Sequence, residues 1–304
     1  MTFETQSVNL VTVDAGHTAT RNRLFHESLP QMAERWMLGL AWAAMPSRIG
    51  GLPNLCRLCL REFLAPDYAL PDPERAFDRP PGLAGIVRDL TKPTLLAVYR
   101  GGLYPFAHIA PLKWWSPPRR SLLFFEELHI ARRLRRQMRQ GRYSVTFDRD
   151  FDGVIAACAG HRSGRWHLTW ITPKIMRAYA ELFDAGFAHS FEVWNERGEL
   201  AGGGYGVAVG GAFVTESQFS REPNTSKIGF TVLNWHLARW GFAFNDGKLM
   251  TPTCLSMGFR EIPRSDYLAR LERAQHLAGK SGRWQAESDV TTVAEWRPAA
   301  PIAA

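Results

Sequence analysis

The chain has 304 residues, 45% of them hydrophobic and 22% charged, with a formal net charge of +8. That length and balance exclude a disordered or fibrous chain and suit one large or two modest globular domains with a sizeable core. Four cysteines at this size exclude a disulfide-built scaffold and fit a reducing compartment, and the excess of base favours a polyanionic partner, most simply nucleic acid.

In chain order, residues 1–20 are polar and expected to be loosely ordered. Residues 21–45 read as one helix, with Met32, Trp36 and Leu40 at spacings of four and Pro46 and Gly50-Gly51 at its end. Its most apolar run, residues 36–45, is half the roughly 20 residues that a membrane span needs. No charged stretch followed by an apolar core opens the chain, so no signal peptide is expected, and the expected location is the cytoplasm. Residues 55–63 form a second helical candidate carrying Cys56-Arg57-Leu58-Cys59. A zinc site needs a second ligand pair, which the sequence lacks, so no metal is expected. Residues 66–81, rich in proline and charge, read as a linker.

Residues 86–128 hold the run Tyr99-Arg100-Gly101-Gly102-Leu103-Tyr104 and then Lys113-Trp114-Trp115-Ser116-Pro117-Pro118-Arg119-Arg120. Aromatics beside arginines can stack an unpaired base and hold its phosphate. By itself the tryptophan pair reads better as buried between two domains. Next, Arg132, Arg133, Arg135, Arg136, Arg139 and Arg142 fall within eleven residues, and no acid interrupts residues 128–147. At helical spacing Arg132, Arg135, Arg136 and Arg139 share a face, beside Leu134 and Met138. Like charges on one face repel unless something anionic neutralises them, which favours a phosphate backbone contact.

From Val145 helices and strands alternate. Residues 151–158 read as a short helix. Thr172 can cap a helix with Pro173 at its first position, Met176, Tyr179 and Phe183 as its apolar stripe, and Gly186 as its stop. Residues 189–194, 199–209 and 212–220 read as strands, joined by turns at Asn195-Glu196-Arg197-Gly198 and Gly210-Gly211. A helix from Ser226 buries Phe230, Leu233, Leu237 and Trp240 and stops at Gly241, and another strand follows. Glu216 and Asp246 sit near the ends of the two later strands, where α/β folds tend to place chemistry. On an extended strand Phe242, Phe244, Asp246 and Lys248 point one way. Beyond Leu271 the composition turns polar, and residues 298–304 are expected to fray.

These segments carry a resemblance. Trp114-Trp115-Ser116-Pro117, the arginine helix, Val145-Thr146-Phe147-Asp148, Thr169-Trp170-Ile171-Thr172, residues 188–194, Gly203-Gly204-Tyr205-Gly206-Val207-Ala208, Glu216-Ser217, Phe219-Ser220, Ser226-Lys227, Ser256-Met257-Gly258 and Ile262-Pro263-Arg264 run collinearly over more than half the chain. Together they resemble the leucyl/phenylalanyl-tRNA–protein transferases, which move an amino acid from aminoacyl-tRNA onto a protein's N-terminus. The resemblance does not reach residues 1–85. It implies an α/β (α+β) fold, with a helical extension over 1–85, a small module over 86–128, a GNAT-like aminoacyl-transfer domain over 129–275 and a tail over 276–304. It implies a donor aminoacyl-tRNA held by Arg132, Arg135, Arg136 and Arg139, and an acceptor that is a protein N-terminus or small amine. It also implies no cofactor and, as expected for such an enzyme, a monomer. Catalytic roles fall on Asp246, Glu216 and Lys248. An aminoacyl/adenosine pocket falls on Trp114, Trp115, Trp170, Gly204, Phe213, Gln218, Phe230 and Leu233.

Three positions depart from the family pattern. Lys248 replaces a glutamine, Gly204 a leucine or methionine, and Gln218 a methionine. As a sequence, Lys248 can pair with Asp246 or steady an oxyanion, and its charge is expected to repel basic acceptors. Gly204 is expected to enlarge the pocket and Gln218 to leave an amide unpaired in it. Two other readings stay open: a non-catalytic RNA-binding relative, and a GNAT acetyltransferase using acetyl-CoA. The latter needs a glycine-rich phosphate loop that Arg221-Glu222-Pro223-Asn224 does not supply.

Overall fold

The computed structural model describes residues 15–64, 69–107, 110–160 and 168–298. The stretch read as one helix is two, α1 (Ala15–Leu24) and α2 (Leu29–Ala43). Ser28 makes the break. Its side chain accepts the Gln31 N–H, the Gln31 side chain accepts the Ser28 N–H, and Pro30 sits in the first turn, where its missing N–H is tolerated. α3 (Pro46–Ile49) and α4 (Leu52–Leu64) follow. Of the expected linker, residues 66–68 lie outside the described residues. The rest folds into a 3-10 turn and β1 (Phe77–Asp78), which pairs with β2 (Pro81–Ile86).

After α5 (Lys92–Arg100) come β3 (Tyr104–Phe106) and β4 (Lys113–Trp115). They complete an antiparallel sheet in the order β1-β2-β4-β3. Leu83 and Gly85 pair with Trp115 and Trp114, so this sheet takes strands from both sides of residue 85. Trp114 is buried in it.

β5 (Arg119–Leu123) leaves the small sheet for a larger one. Then come α6 (Arg132–Arg139), β6 (Ser144–Phe147), α7 (Phe151–Ala159) and α8 (Pro173–Asp184). Thr172 caps α8 by accepting from the Ile175 N–H, and Gly186 beyond it has a φ of 78°, as its stop requires. A meander of β7 (Ala188–Trp194), β8 (Leu200–Val209) and β9 (Ala212–Ser220) leads into α9 (Thr225–Arg239) and β10 (Phe244–Lys248). α10 (Pro252–Ser256), β11 (Arg260–Pro263), α11 (Arg264–Gln275) and α12 (Val290–Ala294) close the chain. The large sheet has the order β11-β5-β10-β9-β8-β7-β6. Among the described residues its one parallel pair is β9–β10, bridged by α9, and every other pairing is antiparallel.

Apolar side chains cover both faces of the large sheet. On one, α5, α7 and α8 bury Val98, Ile155 and Leu182 against Tyr205, Val207 and Val214. On the other, α6, α9 and α12 bury Met138, Leu233 and Val293 with Phe191 and Phe213.

The C-terminal stretch is not the tail that its polarity implied. Trp284 is only 1% exposed, stacks on His189 at 3.7 Å and 5°, and lies against Phe213, Trp240 and Phe242. Its backbone N–H donates to Asp148, which also meets the His189 ring nitrogen at 2.8 Å. One tryptophan among polar neighbours has no periodic signal, yet among the described residues it supplies the largest fully buried side chain.

Trp284→Ala should destabilise the protein by about 3–5 kcal/mol, as removal of a fully buried aromatic does. Urea unfolding of the full chain measures it. A loss below 1 kcal/mol would show that residues 276–298 add nothing to the core.

Candidate active site

The parallel strands β9 and β10 pair only from Phe244↔Ala212 to Asp246↔Val214. A polar chain pins them there. Thr215 donates to Asn245 at 2.7 Å, Asn245 to Asn234 of α9 at 2.9 Å, and Asn234 to the Phe230 carbonyl at 2.6 Å. Beyond that pin the strands part, and a cleft of about 1200 Å³ opens between them. Glu216, Gln218 and Ser220 of β9 line it, with Gly247 and Lys248 of β10 and Phe230 of α9. A crevice where neighbouring strands diverge is where open α/β sheets take ligands.

Glu216 is aimed by a bulge. Tyr205 of β8 pairs with Ser217 and the next residue, Gly206, with Thr215, so Glu216 is the extra residue on β9. Its carboxylate is fully buried. Tyr99 of α5 donates to Oε1 at 2.8 Å, and the Lys248 ammonium lies 2.8 Å from Oε2, off the angle of a hydrogen bond and therefore as an ion pair. The Tyr179 hydroxyl meets that of Tyr99. Burial, reinforced by Glu216, holds both phenols well above their ordinary pKa, so they stay donors. The Lys248 side chain keeps 13% of its surface exposed and reaches over the rings of Tyr104 at 5.2 Å and Trp170 at 5.8 Å.

Asp246 stands behind this pair. It has no exposed surface, and the Arg120 guanidinium of β5 grips it, Nε lying 2.9 Å from both oxygens and Nη2 2.8 Å from Oδ2. Arg120 in turn donates to Gly102 and Tyr267 and lies over the rings of Tyr104 and Tyr267. Burial opposes its charge and Asp246 restores it, which holds the guanidinium above its ordinary pKa. Asp246 Oδ1 also accepts the Lys248 N–H at 2.8 Å, where Lys248 takes a φ of 65° at a shift in strand register. So Lys248 pairs with Glu216 through its side chain and with Asp246 only through its backbone. Phe244, Asp246 and Lys248 share one side, as alternation implied, whereas Phe242 packs on the other against Trp284.

The expected pocket residues are dispersed. Gln218 and Phe230 line the cleft, and Trp170 stands beside Lys248. Trp115 lines a second cavity, while Trp114, Gly204, Phe213 and Leu233 are core. Gly204 enlarges nothing. A Cβ there would lie 2.7 Å from the Ser217 carbonyl oxygen and 2.8 Å from both Gln218 Cγ and the Phe191 ring, so its space is already full. Gln218 is not without a partner. The repulsion of basic acceptors expected from Lys248 also falls away, since Glu216 matches its charge. Among the described residues no cluster of His, Cys, Asp or Glu is placed to hold a metal, and no helix is long and apolar enough to cross a membrane.

The arginine helix divides into two sets. Arg135 donates to the Ala294 and Trp296 carbonyls and Arg139 pairs with Glu295 at 2.6 Å, so the compensating acid comes from the far end of the chain. Arg132, Arg133 and Arg136 are exposed, with no ion-pair partner among the described residues.

A sequence profile described as leucyl/phenylalanyl-tRNA protein transferase matches residues 122–272. Curated relatives carrying that name are similar over most of their length. The protein of Alkalilimnicola ehrlichii is 42% identical over 75% of this chain and 89% of its own. Those of Azotobacter vinelandii and Pseudomonas syringae pv. syringae are 47% and 48% identical over 66% of this chain and 89% and 88% of theirs. The chain belongs to the leucyl/phenylalanyl-tRNA–protein transferase family. The profile leaves α1–α4 outside, and it starts two residues after Arg120, which sequence reading also missed. An arginine beside Arg119 and two prolines looks like surface charge, and only strand pairing shows that it faces Asp246. Tyr99 was missed too, although Leu95, Val98 and Tyr99 have the spacing of one buried helix face.

Removing one partner of a buried ion pair is costlier than removing both. Arg120→Met should destabilise the protein by about 3–5 kcal/mol, and Arg120→Met with Asp246→Leu should regain most of that loss. Urea unfolding of the single and double variants decides. A double variant as unstable as the sum of the singles would mean that the two groups are not coupled.

Proposed function

We propose that this chain moves an amino acid from an aminoacyl-tRNA to the N-terminal amino group of a protein by aminolysis of the donor ester. Family membership supports the reaction. The observation that carries the site is the Lys248–Glu216 ion pair at the mouth of the cleft where β9 and β10 part. The parting of one parallel pair in an otherwise antiparallel sheet also supports a GNAT-like aminoacyl-transfer domain, with wider bounds than the expected 129–275, since β5 (Arg119–Leu123) is a strand of that sheet and Trp284 lies in its core.

In the reaction the amine nitrogen attacks the ester carbonyl carbon, a C–N bond forms, the C–O bond to the ribose breaks, and the ribose oxygen leaves with the proton that the amine gives up. Alignment alone can remove roughly 7–11 kcal/mol of such a barrier. Lys248 is the charged group of the cleft pair that reaches solvent, so its ammonium is the one to stabilise the carbonyl oxygen as it becomes negative. Glu216 and Asp246 act through it, Glu216 by the ion pair and Asp246 by holding its backbone N–H. An acid accepting a proton directly would need exposure that Asp246 lacks. The acetyl-CoA reading gains no support, because Glu222 occupies the turn before α9 and is fixed by Tyr143 and Asn195. Exposed Arg132, Arg133 and Arg136 suit phosphates of the donor.

Incubation with a pool of labelled aminoacyl-tRNAs and peptides beginning with Arg, Asp or Ala should move label to peptide. Lys248→Met should lower turnover by about 10²-fold, the cost of losing one oxyanion donor, with tRNA affinity nearly unchanged. Wild-type turnover in Lys248→Met would refute the assignment, and label moving only from acetyl-CoA would refute the reaction.

Arg132, Arg133 and Arg136 changed together to Ala should flatten the dependence of tRNA affinity on salt. Each phosphate contact contributes about 0.9 to the logarithmic slope on a duplex, so a fall of roughly 2–3 is expected. An unchanged slope would place the tRNA elsewhere.

A further inference from the structure

A second cavity, of about 410 Å³, lies between the N-terminal helices and the small sheet. We propose that it binds a small planar aromatic anion, an aromatic ring bearing a carboxylate or a phosphate, at a site separate from the cleft. Trp42 of α2, Phe106 of β3 and Trp115 of β4 give the cavity aromatic walls. Its charged lining residues are Arg48, Arg79 and Lys113, and among the described residues no Asp or Glu lines it. An apolar pocket of this size with a few polar groups of one sign is the usual form of a small-molecule site. The volume admits an indole or a purine with its acid group, and no polymer.

Two further observations favour an anion. The Arg48 guanidinium lies 3.8 Å over the Trp42 ring, a planar cation stacked at the rim and in reach of an acid group on a stacked ligand. Lys113 is 5% exposed, donates to the Pro111 carbonyl at 2.7 Å, and is drawn down by burial to a pKa of about 8. Arg48 and Arg79 share its cavity, and Cys59 of α4 is near enough to act on its charge. Three cations on one lining favour a ligand whose acid group meets them.

The cavity is distinct from the cleft. The two share no lining residue, and Phe106 of the cavity lies 5.7 Å from the Trp170 ring, over which Lys248 reaches. Three of its walls, α2, α3 and α4, lie outside the region that the family profile covers. The inference does not rest on the transfer reaction.

The test titrates the full chain with indole-3-acetate and with AMP, against neutral indole and cationic tryptamine, by calorimetry and tryptophan fluorescence. At least one anion should bind tenfold or more tightly than indole and tryptamine. Preference for indole-3-acetate identifies a free aromatic acid as the source, and preference for AMP a nucleotide. Trp42→Leu and Lys113→Met, each checked for an unchanged melting temperature, should weaken that binding tenfold or more. Anion affinity should fall as pH rises through about 8, where Lys113 loses its proton, and this fall should vanish in Lys113→Met. Equal binding of indole or tryptamine, no binding of either anion, or anion binding unaffected by both substitutions would overturn the proposal. Should both variants unfold, Arg79→Gln at the exposed rim replaces them under the same criterion.

Discussion

The buried pair between Arg120 and Asp246 is the constraint on which the rest of the site depends. Two opposite charges out of water are costly to hold, and the pair survives because nearly every hydrogen-bonding position around it is filled. Gly102 and Tyr267 take the remaining guanidinium donors, two aromatic rings flank its faces, and the Lys248 N–H takes the free position on Asp246. The pair thereby ties β5, β10, α11 and the loop before β3 into one unit. It also fixes where β10 ends and how Lys248 turns out of the strand.

Two acids therefore serve one cation at different depths. Asp246 sets the backbone of Lys248, and Glu216 sets its ammonium from the neighbouring strand. Glu216 reaches that place only because a bulge adds one residue to β9, and it stays there because the Tyr99 hydroxyl holds its other oxygen. On the opposite face the chain from Thr215 through Asn245 to Asn234 keeps the strands together up to the fork. The cleft is thus a junction braced on both faces of the sheet, which suits a reaction that gains most from alignment.

The periodic parts of the fold were legible in the sequence. Thr172 with Pro173, the Met176–Tyr179–Phe183 stripe and the turns around Gly198 and Gly210 carry their own local reasons and stand where those reasons place them. Glu216 and Lys248 were singled out through the family resemblance, and the structure brings them together as an ion pair. What the sequence hid depends on contacts between distant segments. Arg120 meets Asp246 across 126 residues, and Arg139 meets Glu295 across 156. Trp284 is core because a pocket around His189 receives it. Gly204 looked like a missing pocket wall, yet pairing opposite Gln218 puts that side chain and Phe191 where its own would be. The roles of Asp246 and Lys248 are separated by depth, which strand alternation cannot report.

The central claim is that the donor ester reacts at Lys248 in the fork between β9 and β10. A crystal structure with a non-hydrolysable aminoacyl-adenosine, amide-linked at the 3′ position, tests it most directly. The account predicts the acyl group between the ends of β9 and β10, with its carbonyl oxygen within hydrogen-bond reach of the Lys248 ammonium. An acyl carbonyl bound away from Lys248, or seated in the cavity between Trp42 and Trp115, would contradict it.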